Sequence, residues 1–325
     1  MTNILITGII GFIGSHLAEL LSENKNNNIY GLFRSIKNES TFTALKLNER
    51  KNINLLLGDI SNYSNFENIL VQYNIDNVYH LASQAIVKTA AKAPLATYAT
   101  NIFGTICLLE AIRNVSTHYN KNISTYVMST DKCYGSHEKL PYKEDMSFIV
   151  DDIYSSSKAC EDIIARSYAF NYNLPIVVGR PCNAYGIDFN WTRLIPSLAK
   201  SCFNNEDLVL NRGSYNYLRE YIYVKDLVKA ISLLVDNIDT TKGDAFNISS
   251  GYIFDTKYIV ETFLELSNYN KDLKFKEREK TFKEIENQYL DSTRLRETTN
   301  WKPKYTLEEG LKETIEKYKG WFDSQ

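Results

Sequence analysis

An α/β fold built on a doubly wound parallel sheet, with a smaller and mostly C-terminal domain attached, is what this chain predicts, and three observations carry it. Short apolar runs at 3–6, 29–33, 53–57, 77–82, 124–129 and 175–180 alternate with helical patterns such as Ile13, Leu17, Leu20, Leu21 and Ile102, Ile106, Leu109, Ile112. A glycine-punctuated turn, Thr7-Gly8-Ile9-Ile10-Gly11-Phe12-Ile13-Gly14, joins the first run to the first helical pattern. After Arg180 the alternation lapses into Pro181, Pro196, an Asn-rich loop near 204–216 and a charged segment from Lys271 to Asn287. Runs that take turns with helices imply parallel strands whose crossovers cover both faces of one sheet. Residues 1–180 are therefore assigned to a dinucleotide-binding domain, with a segment near 220–250 returning to it, and residues 181–325 to a substrate-binding domain.

In the glycine turn, Gly8 permits the tight bend, Gly11 lets backbone approach a pyrophosphate, and Gly14 allows close helix packing, so the helix N-terminus faces phosphate. Three glycines also suit any tight loop; the strand before and the helix after give this a Rossmann-type reading. Asp59, after the strand at 53–57, is placed to accept from an adenine amine or to stabilise the start of the next helix. Arg34 stands after the second strand, where an acid would serve a ribose 2′-hydroxyl and an arginine suits a 2′-phosphate. NADP is therefore favoured over NAD, although a solvated loop arginine has the same look.

The chain of 325 residues is 44% hydrophobic, enough to bury a large core. Its net charge of −2 gives no reason to expect nucleic acid or an anionic membrane as partner. Five scattered cysteines, Cys107, Cys133, Cys160, Cys182 and Cys202, suggest neither a disulfide framework nor a metal site, and fit a reducing cytoplasm. No basic leader is visible, and no run is expected to reach the roughly 18 to 20 apolar residues of a membrane span. Asparagine clusters such as Asn26-Asn27-Asn28 read as compositional bias in surface loops.

Two segments carry candidate chemistry. Tyr154 and Lys158 lie four apart on a predicted helix, hence on one face, where an ammonium can hold a nicotinamide ribose and lower a phenol pKa from its reference of about 10. About twenty residues earlier, Ser129-Thr130-Asp131-Lys132-Cys133-Tyr134-Gly135 follows an apolar strand and sets an acid beside an amine.

Together with Gly58-Asp59, His80-Leu81-Ala82, Asn101-Ile102-Phe103-Gly104-Thr105, Arg180-Pro181-Cys182-Asn183-Ala184-Tyr185-Gly186 and Arg219-Glu220-Tyr221-Ile222-Tyr223-Val224-Lys225-Asp226, these pieces resemble the extended short-chain dehydrogenase/reductase family over nearly the whole chain. Within it, Ser129-Thr130-Asp131 followed by an ionisable residue is similar to the nucleotide-sugar 4,6-dehydratases. Asp131-Lys132 resembles the CDP-glucose and UDP-N-acetylglucosamine dehydratases rather than the dTDP-glucose enzymes, which carry Glu at that place. The strings Thr130-Asp131-Lys132-Cys133-Tyr134, Tyr154-Ser155-Ser156-Ser157-Lys158-Ala159-Cys160 and Arg193-Leu194-Ile195-Pro196 lean towards the CDP-glucose branch. Tyr30-Gly31-Leu32-Phe33-Arg34-Ser35 instead looks like the NADP-using GDP-mannose 4,6-dehydratases.

The resemblance implies a nucleotide-diphosphate hexose as substrate and an internal redox cycle. Tyr154 and Thr130 serve the C4 oxygen, Lys132 the C5 proton and Asp131 the departing C6 hydroxyl. It implies cofactor contacts from Gly8, Gly11, Phe12, Ile13, Gly14, Arg34, Asp59, Ile60, Leu81, Ala82, Tyr154 and Lys158. Substrate contacts fall to Gln84, Lys88, Asn183, Arg193 and Arg219, and a homodimer is expected through helices around 97–113 and 154–172. His80 reads as a satisfied strand-end histidine, and Asp291 to Leu311 resembles the family's closing helix-loop-helix. Gln84 and Lys88 fit the start of a helix equally well.

The assignment poses a proton problem. A base must be neutral Lys132 and an acid must be protonated Asp131, yet moving a proton from lysine to aspartate in water costs about 9 kcal/mol. A dry site has to offset most of that; otherwise the two form a surface ion pair worth little. Two rivals stay open: a 4-epimerase or 4-keto reductase on the same scaffold, which needs no such pair, and a non-catalytic NAD(P)-binding regulator.

Overall fold

A computed structural model describes residues 1–36, 39–276 and 285–325. Part of the charged segment expected from Lys271 to Asn287 thus lies outside the described residues. Seven strands form one fully parallel sheet: β1 (Thr2–Thr7), β2 (Asn27–Phe33), β3 (Ile53–Leu57), β4 (Asn77–His80), β5 (Ser124–Met128), β6 (Ile176–Pro181) and, after a long excursion, β10 (Ala245–Ile248). Their order is β10-β6-β5-β4-β1-β2-β3, so the direction of winding reverses between β1 and β4. The Rossmann-type α/β fold read from the alternation is the observed one.

Alternation along each strand sends side chains to opposite faces, which is why the core divides in two. On β1, Ile4 and Ile6 join the cluster under helices α1 (Phe12–Leu21) and α9 (Val224–Asp236), whereas Leu5 joins the cluster under α3 (Tyr63–Gln72), α6 (Gly104–Tyr119) and α7 (Ile153–Tyr172). The remaining short helices of the sheet domain are α2 (Thr41–Ala44), α4 (Val87–Lys92), α5 (Pro94–Tyr98) and α10 (Ile238–Thr241).

Helix α5, a π-helical turn Ala99–Phe103 and α6 run on as one stretch, Pro94–Tyr119. By length and composition this stretch is apolar enough to cross a bilayer, against the expectation that none would be. Half of its most apolar 18-residue window is buried, because its apolar positions pack on the sheet domain.

The second layer is built from β7 (Asn183–Tyr185), β9 (Leu218–Tyr223), β11 (Ile253–Asp255) and β13 (Asn287–Gln288) in one small sheet, and from the pair β8 (Val209–Asn211) and β12 (Lys274–Lys276). Helices α8 (Leu194–Phe203), α11 (Thr256–Leu266), α12 (Thr293–Thr299) and α13 (Leu307–Phe322) complete it. Thr306 starts α13 with a capping box, its hydroxyl accepting from Glu309 N while the Glu309 carboxylate accepts from Thr306 N.

One buried ion pair stitches these parts together. Arg180, on β6 and 1% exposed, donates through Nε and Nη2 to both carboxylate oxygens of Asp162 on α7, at 2.8 and 3.0 Å. Its Nη1 donates to the Tyr134 hydroxyl at 2.7 Å and to the Glu144 carbonyl at 3.0 Å. Every guanidinium edge is occupied, which is the condition under which a buried charge is tolerated. Asp162→Ala leaves that charge unpaired. The expected loss is about 3–5 kcal/mol of unfolding free energy, seen as a lower midpoint in urea denaturation; an unchanged midpoint would mean the pair holds nothing.

Candidate active site

The carboxyl ends of the central strands open where the winding reverses, the place at which open α/β sheets leave a crevice for ligands. Gly8 sits there at φ +73°, and a Cβ on it would come within 2.9 Å of the Ala82 Cα. A Cβ on Gly14 would lie 2.2 Å from the Gly8 carbonyl oxygen, so only glycine lets α1 seat against the turn. Gly11 is exposed, caps α1 without a side-chain bond, and an added Cβ would meet only the Gly8 oxygen at 3.1 Å. The first N–H groups of α1 are left facing an open cradle, which fits a dinucleotide pyrophosphate. Phe12 is buried and Ile13 half-buried in the first turn of the helix.

The floor of this cradle is a closed hydrogen-bond chain. Thr105 Oγ1 gives its one proton to the Asn101 carbonyl (2.7 Å), so it accepts from His80 Nε2 (3.1 Å) and fixes that tautomer. His80 Nδ1 then accepts from the Thr7 hydroxyl (2.9 Å), whose oxygen accepts from Leu81 N (3.2 Å) and Ala82 N (3.1 Å). Burial, and then the charge of Lys158, push the imidazole down to about 3, so it stays neutral. His80 is satisfied and structural, as the sequence suggests. Ile60 is buried and fills the space against Gly104, where a Cβ would lie 2.8 Å from its Cδ1.

Arg34 and Asp59 meet at 3.6 Å on the rim, both well exposed. Asp59 Oδ1 accepts from Ser61 N (2.8 Å) and Ser61 Oγ (2.7 Å), closing an Asx turn. The helix-start alternative for Asp59 is corrected: the N-cap of α3 is Asn62, whose side chain accepts from Asn65 N.

Thr130 caps a short 3₁₀ turn, Asp131–Tyr134, accepting from Lys132 N at 3.3 Å and donating to Asp131 Oδ1 at 3.0 Å. Asp131 is 2% exposed, and its Oδ2 has no hydrogen-bond partner among the described residues. Burial pushes this carboxyl up, against the charge of Lys132, the Thr130 bond and the charge of Arg219. Among the described residues Lys132 makes no ion pair with Asp131; it lines a cavity of about 140 Å³ with Ser136, Asp151, Asp152 and Ser155. The surface ion pair weighed from the sequence is not what the chain forms.

Asp152 caps α7 by accepting from Ser155 N at 2.9 Å, which sets the helix that carries Tyr154 and Lys158. Burial pushes the Tyr154 phenol up, with Arg193 and the Thr130 hydroxyl pulling it down and Glu161 and Asp131 pushing it further. Lys158 Nζ donates to the Met128 carbonyl at 2.5 Å and to Glu161 Oε2.

On the substrate side the placements differ. Gln84 braces its own loop, with Oε1 accepting from Ile86 N at 2.7 Å, and Lys88 is exposed on the first turn of α4. Asn183 Nδ2 donates to the Glu220 carbonyl at 3.3 Å. Arg193 pairs with Asp188 at 3.3 Å and stands over the Phe12 ring. Arg219 is buried, donates to the Glu286 (2.7 Å) and Ile285 (2.6 Å) carbonyls, and its charge acts on Asp131.

Three residues beyond the expected set prove central. Asn101, in the π-helical turn, accepts from Gln84 N (2.7 Å) and donates to Ser157 Oγ (2.8 Å), tying the loop after β4 to α7. Glu161 sits beneath Lys158, and Asp162 holds Arg180. An Asn inside an apolar helix, and acids at three and four residues after Lys158, were the signals available.

A family model described as GDP-mannose 4,6 dehydratase matches residues 5–314. A dTDP-glucose 4,6-dehydratase of Shigella flexneri is 26% identical over 97% of this chain and 92% of its own length. The solved structure of a Bacillus anthracis dTDP-glucose 4,6-dehydratase in complex with NAD superposes with a TM-score of 0.85 at 26% identity, covering 98% of this chain and 97% of that one. That of a Thermotoga maritima UDP-glucose 4-epimerase with UDP-glucose gives 0.87 at 27%, covering 98% and 99%.

Gly14→Ala tests the cradle. The added methyl drives α1 off the turn, and nicotinamide dinucleotide affinity is expected to fall by at least about tenfold in a fluorescence-quenching titration, with the far-ultraviolet circular dichroism retained. Unchanged affinity would place the dinucleotide elsewhere.

Proposed function

The chain belongs to the GDP-mannose 4,6 dehydratase family, and on that premise we propose that it is a nucleotide-sugar 4,6-dehydratase that turns an NDP-hexose into an NDP-4-keto-6-deoxyhexose. The observation that carries this reading is the buried Asp131 carboxyl with its unpartnered Oδ2 next to a lysine that is not its ion-pair partner. A 4-epimerase, the activity of the Thermotoga maritima neighbour, has no use for such an acid and base at C5 and C6.

When bound in the cradle, a nicotinamide ring supplies a store for the hydride that leaves C4 and later returns at C6. Burial holds the Tyr154 phenol protonated in the free protein, so the phenolate has to be drawn out by the Lys158 ammonium once it reaches the ribose; Tyr154 Oη then takes the proton of the C4 hydroxyl while the Thr130 hydroxyl bonds the same oxygen. The resulting ketone acidifies C5–H, and Lys132 Nζ removes that proton. Asp131 Oδ2 gives its proton to the C6 hydroxyl, which leaves as water, and Lys132, its ammonium protons exchanged with solvent, delivers one to C5. One turnover thus leaves Tyr154 with a proton gained and Asp131 with one lost. Thr130, bonded to Asp131 and acting on Tyr154, links the two groups that must exchange it.

Within this reading, CDP-glucose is the favoured hexose donor, supported by the strings around Thr130, Tyr154 and Arg193. NADP is the favoured cofactor, supported by Arg34 at the end of β2: its exposed partner Asp59 is held only at 3.6 Å and is readily displaced by a 2′-phosphate. Gly8, Gly11, Phe12, Ile13, Gly14, Asp59, Ile60, Leu81, Ala82, Tyr154 and Lys158 would hold the rest of the cofactor. Asn183, Arg193 and Arg219 would hold the sugar nucleotide. A homodimer is supported by the apolar side chains left exposed along α5–α7, namely Leu95, Phe103, Ile163 and Phe170; light scattering should give twice 37.4 kDa. All five cysteines are free thiols, which supports a cytoplasmic place.

The test is incubation in deuterated water with NADP⁺ or NAD⁺ and, separately, CDP-glucose, GDP-mannose, dTDP-glucose and UDP-N-acetylglucosamine. Loss of water with deuterium at C5 in one of them is expected, fastest with NADP⁺ and CDP-glucose, and lost by about a hundredfold or more in Tyr154→Phe. An isomer of unchanged mass would make the protein an epimerase.

A further inference from the structure

Lys158 is enclosed beside the crevice it is expected to serve. Its side chain is 3% exposed, and the ammonium is held between the Met128 carbonyl, at 2.5 Å, and Glu161 Oε2. Among the described residues it makes no hydrogen bond to Tyr154. Glu161 is itself buried; its other oxygen, Oε1, has no hydrogen-bond partner and lies 3.9 Å from His80 Nε2. A carboxylate in such a place is costly unless it has a task.

We propose that Glu161 is a positioning residue for Lys158: its carboxylate latches the ammonium below the crevice, and the nicotinamide ribose binds only as the latch releases. This rests on the reading that Lys158 serves that ribose. The geometry requires the release, because a side chain so nearly enclosed has to rotate off Glu161 to reach a ligand.

The latch depends on charge, and the surroundings say in which range. Burial pushes the Glu161 carboxyl up to about 7, against the charge and hydrogen bond of Lys158, with Asp162 adding to the rise. The other ionisable groups facing the pair are quiet in that range. His80 on β4 is neutral, Arg180 on β6 is committed to Asp162, and the Tyr154 phenol is held protonated by burial. Below about pH 7 the neutral carboxyl lets Lys158 go; as pH rises through it, the carboxylate recaptures the ammonium. Dinucleotide binding should therefore weaken with rising pH across that step.

The experiment is a titration of the purified, substrate-free protein with NADP⁺ between pH 5.5 and 8.5, alongside Glu161→Gln, followed by fluorescence quenching. The difference between the two proteins cancels the titration of the cofactor's own phosphate. For the native protein the Kd is expected to rise by about tenfold between pH 6 and 8 relative to the variant, which stays at the tight, low-pH affinity. Should Glu161→Gln not fold, Glu161→Ala is expected to give the same flat profile. Parallel profiles, or weaker binding by the variant throughout, would overturn the latch. Because no sugar nucleotide is present, failure of the dehydratase reading leaves this result standing, and the converse.

Discussion

The bidentate pair between Arg180 and Asp162 is the constraint on which the active site depends. Two charges taken out of water cost several kcal/mol each unless their hydrogen-bonding edges are filled. Here the filling is done by groups from three elements: Asp162 on α7, the Tyr134 hydroxyl at the end of the catalytic turn, and the Glu144 carbonyl of the following loop. The rings of Tyr134 and Phe148 flank the guanidinium as well. Satisfying one arginine therefore fixes the turn that carries Thr130, Asp131 and Lys132 against the helix that carries Tyr154 and Lys158. The proposed proton transfers between groups from both segments would need that register, since an error of an ångström at the reacting atoms is costly.

The same interior meets the Asp131 side of the conflict between adjacent Asp131 and Lys132. In water the two would be charged, and the neutral forms needed for acid and base work would be about 9 kcal/mol uphill. The 3₁₀ turn separates them, sending the carboxyl inward, where burial favours its protonated form, and leaving the amine on a small cavity. Two neighbours in sequence thus acquire different surroundings from a single tight turn. Glu161 and Lys158, one helical turn apart in α7, do the reverse and share one dry pocket.

Much of this was legible in the residues. The strand and helix periods gave the parallel sheet because fully buried parallel strands are short and uniformly apolar. The glycine spacing located the cradle, since positions 8 and 14 leave no room for a Cβ. The return strand β10, Ala-Phe-Asn-Ile, was visible only as a vague segment near 220–250, because four residues with a buried Asn247 carry no period. Asp59 read equally as a helix cap because the true cap, Asn62, stands three residues on in an equally polar turn. The spacing put Lys158 on the same helix face as Tyr154, but its attachment to Glu161 was not legible, as an acid three residues along a helix ordinarily marks a solvated face.

The sharpest test of the account is single-turnover chemistry in Asp131→Asn. If Asp131 delivers the proton to the C6 hydroxyl and takes no part at C4, the variant given its sugar nucleotide should still build up the absorbance of reduced nicotinamide. A 4-keto hexose that keeps its C6 hydroxyl should appear with it, and water loss should be slowed by about a hundredfold or more. Water loss at the native rate, or failure to reduce the cofactor at all, would contradict the role given to the buried carboxyl.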